Sequence, residues 1–181
     1  MKIICFGDSN TYGFDPCSFF GGRYSSEDRW VDLLAQISGW DVNNAGMNGR
    51  AIPQNQICFP SDTDCILIML GTNDLLQGNT PCAVALRMER FLGTLQKIHD
   101  KLIIVSPPKL QRGEWVNDER LICSSDALSS ELESLCERLG IRFINSTDWD
   151  LSMCFDGVHL TEEANHHFAN EIYREMMKFY G

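Results

Sequence analysis

Long hydrophobic runs are missing from this sequence: no stretch approaches the ~20 apolar residues that a membrane-spanning helix needs. Basic residues are scarce as well. Fifteen Lys and Arg stand against 25 Asp and Glu, a formal net charge of −10. A chain that acidic repels phosphate backbones, so no nucleic-acid partner and no membrane span is expected. No C-x-x-C pair occurs and no Cys/His cluster has zinc-site spacing, so no metal or other cofactor is expected. Neither G-x-x-x-x-G-K-[S/T] nor G-x-G-x-x-G is present, which removes the main support for a nucleotide-phosphate site. No internal repeat, low-complexity tract or linker divides the 181 residues, and the reading is one domain over residues 1–181. Eight cysteines are too sparse for a disulfide scaffold. Cys5 and Cys65 sit in apolar runs and Cys136 on a helical pattern, which favours free thiols in a reducing compartment. Met1-Lys2 leads directly into Ile3-Ile4-Cys5-Phe6, a run too short for the apolar core of a signal peptide, so the cytoplasm is the expected location.

What the chain does have is alternation. Lys2 to Phe6, Asp64 to Leu70, Lys101 to Ser106 and Ile141 to Ile144 are short apolar runs, with Asp41 to Asn44 a weaker fifth. Runs apolar at successive positions are expected of strands covered on both faces. Between them lie helical patterns with legible ends. Thr80-Pro81 reads as N-cap and first helical residue, followed by Val84, Met88, Phe91, Leu95 and Ile98. Leu128, Leu132, Leu135 and Leu139 run up to a stop at Gly140, and Trp30, Leu33, Leu34 and Ile37 end near Gly39. Thr161 with Glu162 and Glu163 opens a last helix striped by Ala164, Phe168, Ile172 and Met176. Strand–helix alternation of this kind predicts an α/β three-layer sandwich. Two irregular stretches, Tyr12 to Asp28 and Pro107 to Ser125, are long enough to be functional loops, and both are expected at one edge of the sheet.

Ligands of open α/β sheets sit beyond the carboxyl ends of the strands, so the residues that follow each strand matter most. These are Gly7-Asp8-Ser9, Asn44 to Arg50, Gly71-Thr72-Asn73-Asp74 and Asp156-Gly157-Val158-His159. Taken singly, Gly-Asp-Ser, Gly-Thr-Asn-Asp and Asn-Gly-Arg are turns, and Asp156 to His159 is an Asx-turn beside a histidine. Taken together, they supply a complete set for acyl transfer. Ser9 would be the nucleophile at a strand end, and a serine hydroxyl needs a base. His159 is the best of the four histidines for that task, since His99, His166 and His167 fall on helices where structural or solvated roles suffice. Asp156, three residues earlier, can fold back onto the imidazole Nδ1. Oxyanion donors are available from the Ser9 and Gly49 amides and the Asn73 side chain, with Gly46 competing with Gly49. Cys154 near Asp156 is an alternative nucleophile with nothing beside it to suggest activation. G-x-S-x-G does not surround Ser9, which disfavours the nucleophile elbow of α/β-hydrolases.

These blocks, in this order and over nearly the whole chain, resemble the SGNH (GDSL) hydrolase superfamily. The resemblance implies a flavodoxin-like three-layer α/β/α sandwich with a five-stranded parallel sheet and metal-free hydrolysis of carboxylic esters. It assigns the nucleophile to Ser9, oxyanion donors to Gly49 and Asn73 beside the Ser9 amide, and the remaining dyad to Asp156 and His159. The opening Cys5 to Pro16, with Arg23-Tyr24 and Arg29-Trp30, is most similar to the arylesterase and acyltransferase branch. Asn10 stands where the family name has leucine. The expected activity is a serine esterase acting on small-molecule acyl esters of acetyl size. A thioesterase or lysophospholipase with the same residues, and a binding module for a glycan or small ligand, are the alternatives. An oligomer is possible. Phe14, Phe19, Phe20, Trp115 and Trp149 are candidate pocket walls.

Overall fold

The computed structural model describes residues 1–19 and 22–181. Five strands form the sheet: β1 (Lys2–Gly7), β2 (Asp41–Gly46), β3 (Cys65–Met69), β4 (Leu102–Val105) and β5 (Arg142–Ile144). Their spatial order is β2-β1-β3-β4-β5, and every pair is parallel. Six α-helices accompany them: α1 (Ser9–Tyr12), α2 (Trp30–Ser38), α3 (Thr72–Leu76), α4 (Pro81–Gly93), α5 (Glu119–Leu139) and α6 (Glu162–Tyr180).

The side chains of the three inner strands divide between two cores. Ile3 and Cys5, Cys65, Leu67 and Met69, and Ile103 and Val105 face one way, onto Trp30 and Leu34 of α2 and Phe168, Ile172 and Met176 of α6. Their neighbours Ile4 and Phe6, Ile66 and Ile68, and Leu102 and Ile104 face the other way, onto Val84, Met88 and Phe91 of α4 and Leu128, Leu132 and Leu135 of α5. Because strand side chains alternate and both faces are covered, apolar residues at every position are what the sheet requires. Burying each large side chain contributes about 1.5–3 kcal/mol.

Helix ends follow the local chemistry. The Thr80 hydroxyl accepts from the Ala83 amide with Pro81 in the first turn, and Thr161 accepts from Ala164. Gly39 and Gly140 close α2 and α5 in the left-handed conformation. Two expectations shift. The stripe that begins at Val84 outlasts its helix: α4 ends at Gly93, and Leu95 and Ile98 are carried by a following turn and the 3₁₀ segment Gln96–Lys101. Glycine is a poor helix former, and the Thr94 hydroxyl binds the Phe91 carbonyl at 2.7 Å in place of continued helix. The second long irregular stretch is shorter than expected, because Asp118 caps the Arg120 amide and α5 starts at Glu119.

Candidate active site

The four segments that follow the strands meet at the carboxyl end of the sheet. Ser9 opens α1 directly after β1. Gly7 before it has no room for a Cβ, which would fall 2.8 Å from the Met69 carbonyl oxygen and closer still to Thr11. Asp8 accepts from the Asn10 amide at 3.0 Å and so caps the short helix. His159 lies 150 residues further along, yet its Nε2 is 2.9 Å from Ser9 Oγ and its Nδ1 is 2.6 Å from Asp156 Oδ2. Ser9, Asp156 and His159 are all buried.

Asp156 is fixed from several sides. Its Oδ1 accepts the backbone amides of Val158 (2.9 Å) and His159 (3.1 Å). Burial alone would push this carboxyl up, but the imidazole and these amides outweigh it and hold Asp156 below the ordinary carboxylate range. It therefore stays an anion facing the Nδ1 position.

Gly49 and Asn73 line the same cavity as Ser9 and His159, a space of about 240 Å³. The Gly49 amide has no hydrogen-bond partner among the described residues, whereas Gly46 donates its amide to Asn44 Oδ1 at 3.0 Å. Of the two competing glycines, Gly49 is thus the one with a donor to offer. Asn73 gives one amide hydrogen to the Arg50 carbonyl at 3.2 Å, which leaves its second available.

The loop that carries Gly49 is held by two ionic side chains that stand in the blocks marked by the sequence but receive no role there. Arg50 Nη1 donates to the Gly7 carbonyl at 2.8 Å and to the Ala45 carbonyl, and its guanidinium lies 4.1 Å from the centre of the Phe6 ring. Asp74, fully buried, accepts from the Ile52 amide at 3.0 Å and from Arg87 Nη1 at 2.9 Å. Asn10 is a third residue whose role the sequence leaves unread. Its only sequence signal is an amide side chain in place of an apolar one within a buried block.

Walls of the cavity come from Phe14, Leu76, Trp115 and Val158. Phe14 and Trp115 flank the imidazole, with ring centres 4.8 and 5.6 Å from it. Trp149 instead packs in the core against Phe168, Phe19 is exposed, and Phe20 lies outside the described residues. The remaining histidines lie elsewhere: His99 Nε2 meets the Leu92 carbonyl, while His166 and His167 sit on the surface of α6. Cys154 is buried beside the Tyr24 hydroxyl at 3.5 Å, and burial raises its thiol to about 11, the opposite of an activated nucleophile. All eight cysteines are free, and among the described residues no helix is long and apolar enough to cross a membrane.

Comparison with known proteins fits this arrangement. A family model described as the GDSL-like Lipase/Acylhydrolase family matches residues 5–167. No curated protein matches the sequence. Among solved structures, a putative arylesterase from Agrobacterium tumefaciens is 27% identical, with a TM-score of 0.83 over 98% of this chain and 99% of that one. A carbohydrate acetylesterase family member from Sinorhizobium meliloti is 26% identical, with a TM-score of 0.79 over 98% of each chain. The inhibitor-bound aryl esterase of M. smegmatis, 23% identical, superposes at 0.80 over 98% of each chain.

Proposed function

Since the chain belongs to the GDSL-like lipase/acylhydrolase family and is a carboxylic ester hydrolase, we propose that it cleaves small acyl esters, of acetyl size, with Ser9 as nucleophile and His159 and Asp156 as its base and orienter. The observation that carries this reading is the position of one imidazole, 2.6 Å from a carboxylate and 2.9 Å from a hydroxyl on the floor of a small cavity.

In this mechanism His159 Nε2 takes the Ser9 proton as Oγ attacks the ester carbonyl. Asp156 holds the N–H on Nδ1 and stabilises the imidazolium that forms. The amides of Ser9 and Gly49 and the side chain of Asn73 receive the oxyanion. Collapse of the tetrahedral intermediate breaks the ester C–O bond, and His159 returns its proton to the departing alcohol. Water, deprotonated by the same imidazole, then releases the acyl group from Ser9; a second alcohol in its place gives transacylation.

Cavity size supports a short acyl chain. A cavity of about 240 Å³ falls below the roughly 300–1,000 Å³ of sites for larger ligands, and Phe14, Leu76 and Trp115 line it. The acetylesterase named above, 26% identical, points the same way. Eight free thiols, several of them buried, are in keeping with a reducing, cytoplasmic setting.

Two measurements test the reading. A fluorophosphonate probe should add one adduct, mapped by peptide mass to Ser9, and Ser9→Ala and His159→Ala should each remove nearly all turnover. Across p-nitrophenyl esters from acetate to decanoate, kcat/KM should be greatest at the short end. Full turnover by Ser9→Ala would end the assignment, and a maximum at decanoate would end the acetyl preference alone.

A further inference from the structure

Asn10 occupies the position after the proposed nucleophile, and its side chain reaches across to the segment that carries the proposed base. Its Nδ2 donates to the Val158 carbonyl at 3.0 Å, and its Oδ1 accepts from the Leu160 amide at 3.0 Å. These two backbone groups lie on either side of His159. One planar amide therefore brackets the residue whose imidazole must face Ser9, and does so from the residue adjacent to Ser9.

The bracket is itself immobilised. Asn10 is buried, its own amide is capped by Asp8, and its carbonyl accepts from Trp30 Nε1 at 2.9 Å. Trp30 is almost fully buried, and its amide is in turn held by Asn165 Oδ1 of α6 at 3.2 Å. Val158 and Leu160 are buried as well, so water cannot replace the Asn10 amide as their partner. Leucine has the same branching but neither donor nor acceptor, and aspartate has two acceptors and would set an oxygen against the Val158 carbonyl.

We propose that Asn10 is the positioning residue that fixes His159 against Ser9, through the amide bracket on Val158 and Leu160. The inference rests on the reading of His159 as general base. It explains why an amide stands in this buried block: the distance between hydroxyl and imidazole is set by a short polar strap instead of by side-chain packing alone. Displacement of a reacting group by about 1 Å is enough to lower a rate by about 10²-fold.

The test compares Asn10→Leu and Asn10→Asp with the parent enzyme on p-nitrophenyl acetate. Both variants should lose about 10- to 100-fold in kcat with KM changed by no more than about twofold, because the strap aligns reacting groups without contacting substrate. Asn10→Asp keeps the acceptor for the Leu160 amide and remains informative if the leucine variant does not fold. A second readout is the proton NMR signal of the short Nδ1–H···Oδ2 bond between His159 and Asp156, expected far downfield in the parent and broadened or lost in both variants. Ile172→Val, a change in the core away from the site, serves as the control for lost stability and should leave kcat and that signal intact. Loss of turnover in Ser9→Ala together with near-parental kcat and an unaltered downfield proton in the Asn10 variants would overturn the role given to Asn10 while leaving the esterase reading standing. Full turnover by Ser9→Ala would instead overturn the reading on which the role rests.

Discussion

Asp8 provides a stability prediction whose size follows from its surroundings. The residue is about 1% exposed and its Oδ1 caps the Asn10 amide. Burial raises its carboxyl from the ordinary 3.8 to about 6, only partly offset by the Asn10 amide, by His159, by the Thr72 side chain and by Arg50. At about 1.4 kcal/mol for each pH unit, charging Asp8 in the folded protein costs about 3 kcal/mol more than in the unfolded chain. The direction is fixed by the raised value. Below pH 4 both states hold the proton and nothing is lost; between 4 and 6 the folded state alone keeps it, so stability falls as pH rises; above 6 the whole penalty is present. Asp8→Asn keeps the cap acceptor and cannot ionise. Urea unfolding of both proteins at pH 4, 5, 6 and 7.5, under reductant, gives a difference from which the other carboxylates largely cancel. That difference should move by about 2 kcal/mol in favour of the asparagine variant between pH 4 and 7, since the unfolded carboxyl is already partly ionised at pH 4. Curves that stay parallel over this range would show that the fold accommodates the Asp8 anion without penalty and would refute the reasoning.

Other substitutions separate roles that share the site. Asp156→Asn turns an N–H toward the imidazole Nδ1 in place of an acceptor, so kcat should fall by about 10⁴-fold and fluorophosphonate labelling of Ser9 should slow with it, while circular dichroism and urea unfolding show an intact fold. Gly46→Ala would set a Cβ 2.1 Å from the Tyr12 amide nitrogen, and soluble folded protein should be sharply reduced. Gly49→Ala meets nothing within 4 Å and carries only the penalty of a positive φ of 70°, about 1 kcal/mol, so it should fold and, keeping its amide, retain much of its activity. Cys154→Ser should leave kcat within about threefold of the parent, since this buried, protonated thiol takes no part in the proposed chemistry; loss of the covalent acyl adduct in this variant would point to the thiol instead.

How much of this the chain discloses depends on burial and on distance along the sequence. β1, β3 and β4 are legible because each is covered on both faces, so every position is apolar. β2 and β5 are edge strands in which Asp41, Asn43 and Arg142 dilute the pattern, yet Ile141 to Ile144 still reads as a strand and Asp41 to Asn44 as a weaker one. The first turns of α5 were hidden for a different reason. Its later stripe, Leu128 to Leu135, packs on the sheet, whereas Ile122 packs on Leu110, Val116 and Val158 of neighbouring loops and Leu121 spans the two groups. The stripe changes partner midway, and a single helical periodicity does not describe both halves.

The proposed site divides along the same line. Ser9 and Asn73 could be named because each follows a strand end closely, and the Asp156–His159 pair because it forms a compact block of its own after β5. Asn10, Arg50 and Asp74 stand in or beside the same blocks, but their roles could not be read, since their partners lie 13 to 150 residues away or are backbone carbonyls that leave no trace in composition. The aromatic walls were legible as residue types but not as places. Trp115 reaches the imidazole because its loop pairs with the segment that carries Asp156: Gln111 donates to the Gly157 carbonyl, Glu114 to that of Phe155 and Trp115 to that of Asp156. Gly113 and Gly157 permit this approach, since a Cβ on Gly113 would fall 2.3 Å from the Gly157 amide nitrogen. The wall of the acyl cavity and the proposed dyad thus share one stretch of backbone. A change that loosens residues 111–115 should therefore alter turnover on every ester alike, whereas truncating the Trp115 ring alone should alter only which esters are preferred.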